Sequence, residues 1–426
     1  METNLLDREA FTAGILFSLA VMLCLLLRAV TQDDHPATQR ANRLALAGGL
    51  LGIVMLAAVN GVIYRYISRP LASFMLFPLI LAPQLGMVRT GLLFGVLNVA
   101  VALWALHLFR DQLPARRGLL LQSWTVFGLL VAGFAGAGHL TTFAETHLYA
   151  DDIVHAESTP YQRIVVTRWR DDLRLFLNNN LQFSSHDEYR YHEALVHPGL
   201  ASLPGAKRVL VLGGGDGLAV REVLKYPQVE QVTLVDLDPA MTDLFSTAPA
   251  LVALNQGALK SERVRVVNAD ALQWLEESRE YFDFIVIDFP DPSNFALGKL
   301  YTAAFYRLIE KRLSANGLLV VQSTSPLYAR QSFWCVVTTL ESVGFKTAPY
   351  HAQVPSFGEW GYIIAGRHGY VPGSVDPRKT RFLTPETMPG LFVFPADMAR
   401  LPAEVNQLNN QVLVRYFEAE WRKVIR

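Results

Sequence analysis

One carboxylate in this chain stands inside a glycine-rich loop, where it bears directly on which ligand can bind. The apolar run Val209–Leu212 predicts a buried strand, and the loop Gly213–Gly217 (GGGDG) follows it and leads into an amphipathic stretch. Such a turn lets the backbone approach a ligand beside the positive end of a helix dipole. Asp216 would repel a phosphate or carboxylate there and attract an ammonium group. Asp236 ends the next predicted strand twenty positions later, where such folds hold a ribose hydroxyl pair.

Two more carboxylates follow another apolar run, in the segment FDFIVIDFPDP. A continuous apolar strand delivers Asp288 to its end, and Asp291 comes three residues later between two prolines. A helix cap or a loop carboxylate without a chemical role is the alternative interpretation. The prolines stiffen a loop that would need no stiffening if it were merely solvated. We therefore favour a functional role for both side chains.

An alternation of strands and helices after Pro204 positions these side chains. The predicted strands are 208–212, 231–236, 263–267, 282–288 and 317–323, and the predicted helices are 217–226, 239–246, 270–278, 301–313 and 329–343. This order is typical of a parallel sheet covered on both faces, in which ligands bind beyond the carboxyl ends of the strands. The polar clusters all fall at such ends, namely Gly213–Gly217, Asp236 and Asp238, Asn268 and Asp270, Asp288 and Asp291, and Gln322 and Ser323.

A smaller β-region precedes this alternation. The segments YQRIVVTRW, LRLFLN and LQFSS predict an antiparallel sheet with a turn at Asn178–Asn180. The stretch Asp187–His197 then predicts a helix, because its acidic start suits the positive end of the helix dipole.

The first third of the chain is strongly apolar. Five stretches, at about 10–27, 44–64, 71–88, 91–109 and 119–138, approach the roughly 20 residues that cross a bilayer, and the charges lie between them. A buried core helix or a signal peptide would explain one such stretch but not five in succession. The sequence thus predicts a multi-pass α-helical membrane domain. No Asp, Glu or Lys lies within a predicted span, so anchoring is favoured over transport.

The composition of the chain limits which classes of partner and cofactor are expected. The formal net charge is zero, which gives no sign of a nucleic-acid partner, and two cysteines make a disulfide framework improbable. No His/Cys cluster with ligand spacing predicts a metal. The predicted domains are 1–140 (membrane), 141–160 (linker), 161–204 (small β-domain and helix), 205–370 (Rossmann-like) and 371–426 (C-terminal extension with an amphipathic helix).

From about Tyr161 to Gly366 the chain resembles the spermidine synthase family of polyamine aminopropyltransferases, in the bacterial branch that carries a multi-pass membrane segment. The ordered motifs that carry the resemblance are YQ at Tyr161–Gln162, DEYRYHE at Asp187–Glu193, GGGDG at Gly213–Gly217, VDLD at Val235–Asp238, NAD at Asn268–Asp270 and DFPDP at Asp288–Pro292. Their combined order and spacing are specific, whereas any one of them alone is not.

The resemblance implies a small β-domain before a Rossmann-like, class I methyltransferase-type domain. It implies decarboxylated S-adenosylmethionine as co-substrate, a diamine as the second substrate and no further cofactor. Its implied donor-binding residues are Gln162, Gly213, Gly214, Gly215, Asp216, Asp236, Asp270 and Ala271. The implied diamine-binding residues are Tyr191, His192, Asp291, Gln322 and Phe357, and Asp288 is the implied general base.

The implied reaction suits these residues. The donor carries a sulfonium and an ammonium but no carboxylate, so the charge on Asp216 would favour it over ordinary S-adenosylmethionine. Two unit charges about 4 Å apart interact by about 4 kcal/mol at an effective dielectric near 20. A cleft with Glu188, Asp288 and Asp291 suits a dication. A positioned carboxylate can accept the proton of the attacking amine, which then displaces methylthioadenosine.

Three departures from the family pattern leave the amine acceptor open, with putrescine favoured. The segment VPSFGEW places Phe357 where soluble relatives have a tyrosine, and Glu359 and Trp360 are candidate replacements for its contacts. The sequence FPDP replaces the usual SSDP or STDP, and Asp236 stands where glutamate is common.

Two other functions remain open: an S-adenosylmethionine-dependent methyltransferase, and a polyamine transporter or sensor whose soluble domain only binds. We expect a multi-pass protein of the inner cell membrane, in contact with the lipid bilayer, with its catalytic domain in the cytoplasm, where the donor is made. The arginines that flank the predicted spans weakly favour the opposite orientation, with the catalytic domain outside the cytoplasm. The sequence leaves a homo-oligomer open.

Overall fold

The computed structural model describes residues 82–108, 116–137 and 149–424. The chain divides into two compact units, of which the first ends at Leu148 and the second begins at Tyr149. Each unit is described by itself.

The first unit contains two long apolar helices in its described part, α1 (Ala82–Leu108) and α2 (Arg116–Ala135). Both are long and apolar enough to cross a membrane by length and composition. They pack closely where α1 has Gly95, since a Cβ there would lie 3.1 Å from Leu130. The connection that the sequence predicted near Arg89, between the spans 71–88 and 91–109, is wrong, because α1 runs through that residue. The spans predicted at 10–27, 44–64 and most of 71–88 lie outside the described residues.

The second unit begins with a four-stranded antiparallel sheet whose strands lie in chain order. Its strands are β1 (Asp152–Ser158), β2 (Arg163–Trp169), β3 (Asp172–Leu177) and β4 (Asn180–Ser184). The apolar centre of β2, residues 164–166, is fully buried and anchors this sheet. Strand β1 lies in the segment that the sequence suggested as a linker, so the linker assignment is wrong for 152–158.

A helix, α3 (Glu188–Ala201), leads from the small sheet into a seven-stranded sheet of order β10-β11-β9-β8-β5-β6-β7. Its strands are β5 (Arg208–Gly213), β6 (Gln231–Asp236), β7 (Val264–Asn268), β8 (Phe282–Asp288), β9 (Leu313–Gln322), β10 (Lys346–Val354) and β11 (Gly358–Gly366). Strands β5 to β9 are parallel to one another, and β10 and β11 form an antiparallel hairpin beside β9.

The helices between these strands match the predicted alternation. They are α4 (Leu218–Leu224), α5 (Pro239–Thr247), α6 (Pro249–Leu254), α7 (Ala271–Glu277), α8 (Phe295–Gly298), α9 (Ala303–Arg312) and α10 (Arg330–Ser342). Residues 209–212 have no exposed surface, as expected for a central strand with both faces covered. The α/β Rossmann-like prediction is therefore confirmed.

The chain ends on α11 (Val412–Val424), which confirms the amphipathic helix predicted near the C-terminus. Its apolar residues 412–414 are buried. The Glu420 carboxylate accepts hydrogen bonds from the main-chain N–H groups of Gln331 and Ser332 at the start of α10, at 2.7 and 3.0 Å. This helix thus packs on the second unit and satisfies donors that α10 leaves free.

Candidate active site

The glycine-rich loop at the end of β5 lies between two carboxylates. A Cβ on Gly214, whose φ is +66°, would stand 3.0 Å from Oδ2 of Asp288. A Cβ on Gly215 would stand 2.7 Å from the carboxyl carbon of Asp236. Side chains at these two positions would collide with the acids, so glycine allows both of them to reach the loop.

Asp216 is buried inside this loop. Its Oδ1 accepts the N–H of Leu218 at 2.9 Å, at the start of α4. Burial raises the pKa of Asp216, and the neighbouring His192 acts in the opposite direction. The carboxylate therefore lies at a low-dielectric place where a cation would be strongly favoured.

Asp288 lies at the carboxyl end of β8, directly across from the loop. The Tyr191 hydroxyl, from α3, donates to its Oδ1 at 2.6 Å. Burial raises the pKa of Asp288 to about 6, and the charge of Asp216 adds to this effect while His192 opposes it. A carboxyl group that titrates close to neutrality is well matched to accept a proton during a reaction.

Asp291 is held in the loop after β8. Thr324 donates to its Oδ2 at 3.3 Å, whereas Oδ1 is buried and has no hydrogen-bond partner among the described residues. Burial raises the pKa of Asp291 to about 7. A buried carboxylate oxygen without a donor is costly, and a cationic ligand would satisfy it.

Phe357, in the turn before β11, lies among other aromatic rings. Its ring centroid lies 6.0 Å from that of Tyr191 and 5.1 Å from that of Trp360. Glu359 does not replace a contact of the missing tyrosine, because it forms an ion pair with His351.

Asp236 and Asp270 lie at the carboxyl ends of β6 and β7. Asp236 accepts the N–H of Gly215 at 3.0 Å, and burial raises its pKa to about 6. Asp270 caps α7 by accepting the N–H of Leu272 at 2.9 Å, and Ala271 follows it. Burial acts to raise the pKa of Asp270, but Lys299, whose Nζ lies 2.7 Å away, lowers it overall.

Gln322 is placed differently from its suggested role as a diamine contact. Its Nε2 donates to the carbonyl of Phe289 and to the Tyr301 hydroxyl, and its Oε1 accepts from Trp360 at 3.1 Å. Both ends of the amide are thus engaged within the protein. Gln322 fixes the loop that carries Asp291 and acts as a positioning residue.

Glu188 was expected in the cleft, and the structure corrects this. Its side chain turns inward at 3% exposure and is paired with Arg221 and His192. The sequence also gave no role to Asp238, whose buried carboxylate holds the amide of Gln162 at 3.0 Å. Arg221 and Glu222, the two charges in the otherwise apolar helix segment LAVREVL, were the available signal for buried ion pairs.

The comparisons with known proteins point to one family. Residues 188–372 match the spermine/spermidine synthase domain. The polyamine aminopropyltransferase 2 of Ralstonia nicotianae is 57% identical over 362 residues, which cover 84% of this chain and 71% of that protein. The polyamine aminopropyltransferase of Leptospira interrogans is 51% identical over 364 residues, covering 84% of this chain and 72% of that protein.

Solved structures give the same result. A spermidine synthase in complex with the transition state analogue AdoDATO superimposes with a TM-score of 0.52 at 25% identity, covering 57% of this chain and 86% of that one. The spermidine synthase of Thermotoga maritima gives a TM-score of 0.51 at 25% identity, covering 57% and 85%. The chain therefore belongs to the polyamine aminopropyltransferase family. It is an enzyme of that class.

Proposed function

We propose that this enzyme transfers the aminopropyl group of decarboxylated S-adenosylmethionine to putrescine, giving spermidine and methylthioadenosine. The observation that carries the proposal is the placement of three carboxylates at the carboxyl ends of β5 and β8: Asp216 is buried, Asp288 and Asp291 are half-buried, and Asp291 keeps an oxygen without a donor among the described residues. Such a group of carboxylates suits ligands that are cationic at both the donor and the acceptor end.

The donor occupies the end of the cleft formed by the GGGDG loop. The glycines Gly213, Gly214 and Gly215 let its backbone approach closely, and Asp236 accepts the ribose hydroxyls. The adenine lies at Asp270 and Ala271, where α7 begins. Gln162 and Asp216 face the aminopropyl end, whose ammonium pairs with the Asp216 carboxylate.

The diamine occupies the other end. Asp291 pairs with its distal ammonium, Phe357 covers its methylene chain, and Tyr191 and His192 border the reacting nitrogen. Because Phe357 carries no hydroxyl, the distal ammonium depends on Asp291 for its charge partner.

The transfer is a single displacement. The amine lone pair attacks the propyl carbon next to sulfur, the C–S bond breaks, and its electron pair neutralises the sulfonium. The proton lost by the amine goes to Asp288, which the Tyr191 hydroxyl holds in place at 2.6 Å. The products are a secondary amine and neutral methylthioadenosine.

The pH dependence follows from two carboxyl groups. Burial raises the pKa of Asp288 to about 6 and that of Asp291 to about 7, so both are protonated at a higher pH than ordinary aspartates. Only the ionised forms hold the diamine and accept its proton. We expect kcat/KM for the diamine to fall at least about tenfold between about pH 8 and about pH 5.5. Initial rates across this range check it, and a flat profile would contradict the assignment.

The acceptor is tested by offering the purified full-length protein decarboxylated S-adenosylmethionine with putrescine, cadaverine, agmatine or spermidine, one at a time. Mass spectrometry identifies the amine formed, and methylthioadenosine release gives the rate. The highest kcat/KM is expected with putrescine. A higher value with another amine would reject putrescine as the preferred acceptor, and no release with any of them would reject the reaction.

We further propose that the first unit is a multi-pass domain that anchors the enzyme in the inner cell membrane, with the second unit in the cytoplasm. Support comes from the large apolar side chains that α1 and α2 expose, including Leu97, Trp104, Leu121 and Leu129. A reporter that is active only in the cytoplasm should be active when it is fused after Arg426. An external signal would overturn this orientation.

A further inference from the structure

Two side chains assigned to the substrates, His192 and Gln162, can each either donate or accept a hydrogen bond. Whether an imidazole or an amide donates to a ligand or accepts from it depends on the group that binds the other end of the side chain. In both cases the structure places a buried carboxylate behind the side chain.

Glu188 accepts a hydrogen bond from the Nδ1 side of the His192 ring. The Nδ1 atom of His192 lies 2.8 Å from both the carbonyl oxygen and Oε2 of Glu188. Two acceptors at one ring nitrogen require the proton to be on Nδ1, so Nε2 is the atom left for a ligand. Arg221 donates to Oε1 and Oε2 of Glu188, at 2.8 and 2.9 Å. This bidentate pair neutralises the carboxylate and fixes its orientation.

The charge of His192 depends on what occupies the cleft. Burial acts to lower its pKa, but Glu188 raises it overall, with smaller contributions from Asp216 and Asp288. The uncharged Tyr191 ring packs against the imidazole at 4.9 Å between ring centroids. A cationic ligand beside Asp216 and Asp288 would favour the neutral imidazole, whose Nε2 atom then presents a lone pair.

Asp238 holds Gln162 in a similar way. Its Oδ2 accepts hydrogen bonds from Gln162 Nε2 at 3.0 Å and from the Thr159 hydroxyl at 2.8 Å. An ionised carboxylate only accepts, so the amide must turn its NH₂ group towards Asp238 and its Oε1 away. Among the described residues no group donates to that Oε1 atom.

The position of Asp238 brings this amide to the donor-binding loop. The N–H of Asp238 donates to Asp236 at 2.9 Å, and the Asp236 carboxylate accepts the N–H of Gly215 at 3.0 Å. Gly215 directly precedes Asp216 in the chain. The amide of Gln162 therefore lies near the loop that carries the Asp216 carboxylate.

We propose that Glu188 and Asp238 are positioning residues that determine donor specificity, by turning Nε2 of His192 and the amide oxygen of Gln162 towards the group that binds at Asp216. An ammonium end can then donate to Asp216, to the Gln162 oxygen and to a neutral His192, whereas the carboxylate of ordinary S-adenosylmethionine meets the lone pairs of Asp216 and Gln162. This inference rests on the proposed function, because it takes the aminopropyl end of the donor to lie at Asp216 and Gln162, with His192 between that end and the diamine.

The substitutions Glu188→Gln and Asp238→Asn test it, because each keeps the shape of the side chain and places an NH₂ group where only an acceptor stood. In Glu188→Gln, Arg221 loses one of its two carboxylate acceptors whichever way the amide turns, and His192 loses its charged partner, so the imidazole is held less firmly. In Asp238→Asn, the N–H of Ala240 retains the amide oxygen, so Gln162 must turn its own NH₂ group into the cleft. Glu276→Gln and Asp171→Asn, at exposed positions, are the matched controls.

The readout is calorimetric binding of three ligands to the full-length protein: decarboxylated S-adenosylmethionine, ordinary S-adenosylmethionine and methylthioadenosine, which lacks the aminopropyl group. We expect each variant to bind the decarboxylated donor roughly tenfold to a hundredfold more weakly, since a charged hydrogen bond is lost. Methylthioadenosine should bind within about twofold of wild type. Its unchanged affinity would show that the site is folded.

Other outcomes separate the possible errors. If wild type prefers the decarboxylated donor and both variants keep that preference, the inference is overturned and the proposed function stands. If methylthioadenosine binding weakens in proportion in both variants, the two acids are structural and the inference is again overturned. If wild type shows no preference between the two donors, the proposed function itself fails.

Discussion

Replacing Asp288 by asparagine should lower kcat about 10³-fold, within the range expected for loss of a positioned general base. The amide keeps the size of the side chain and can still accept from Tyr191, but it cannot take the proton of the attacking amine. Binding of decarboxylated S-adenosylmethionine should change little, because Asp216 and Asp236 hold that ligand. Steady-state rates of methylthioadenosine release, together with calorimetric donor affinity, measure both effects.

The matched control is Asp171→Asn, at an exposed turn where the aspartate side chain is 86% accessible. It should retain wild-type kcat. Full activity in Asp288→Asn would remove Asp288 from the role of base. A loss of donor binding as large as the loss of kcat would instead make Asp288 part of the donor subsite.

Replacing Asp216 by asparagine should remove most of the preference for the decarboxylated donor, by up to about 10³-fold in the ratio of dissociation constants. The estimate follows from about 4 kcal/mol between unit charges about 4 Å apart at an effective dielectric near 20. Asp216 is buried, so solvent and salt weaken this interaction less than they would at the surface. The asparagine variant should therefore bind ordinary S-adenosylmethionine more tightly than wild type does.

Calorimetric titration of both donors into wild type and Asp216→Asn measures this ratio. A wild-type enzyme that binds S-adenosylmethionine more tightly than its decarboxylated form would favour the methyltransferase alternative. An unchanged ratio in the variant would show that the charge at Asp216 does not select the donor. The transporter alternative predicts uptake of labelled polyamine into proteoliposomes, which the aminopropyltransferase reaction does not require.

The Rossmann-like part of the fold was largely predictable because its strands are buried on both faces. Such strands appear as continuous apolar runs, and the ends of β6 and β8 were placed to the residue. Positions at the carboxyl ends of those strands, including Asp236 and Asp288, were predictable for the same reason. Topology brings those ends to one edge of the sheet.

The antiparallel elements were harder to predict. Strand β1 is mostly exposed, and its acidic and polar residues give it no clear alternation. The β10–β11 hairpin was missed because β10 carries a proline and mixed polar residues. In the turn between these two strands, only Phe357 was assigned a possible role. Pairing with neighbouring strands, rather than local propensity, stabilises both elements.

The direction in which a polar side chain points was the least predictable feature of the site. Glu188 and His192 are four residues apart and share one face of α3, and both were suggested for the cleft, yet Glu188 turns inward. The partner that turns Glu188 inward, Arg221, lies 33 residues away on α4. Gln322 likewise ends a strand at the cleft, but its partners come from Phe289, Tyr301 and Trp360.

A competition between two donors tests the central claim most directly. Full-length protein is incubated with putrescine and equal amounts of ordinary and decarboxylated S-adenosylmethionine, and the products are identified by mass spectrometry. Spermidine and methylthioadenosine should form in equal amounts while ordinary S-adenosylmethionine remains unchanged. Methylated amine together with S-adenosylhomocysteine would contradict the claim that this cleft selects a donor with a positively charged aminopropyl end.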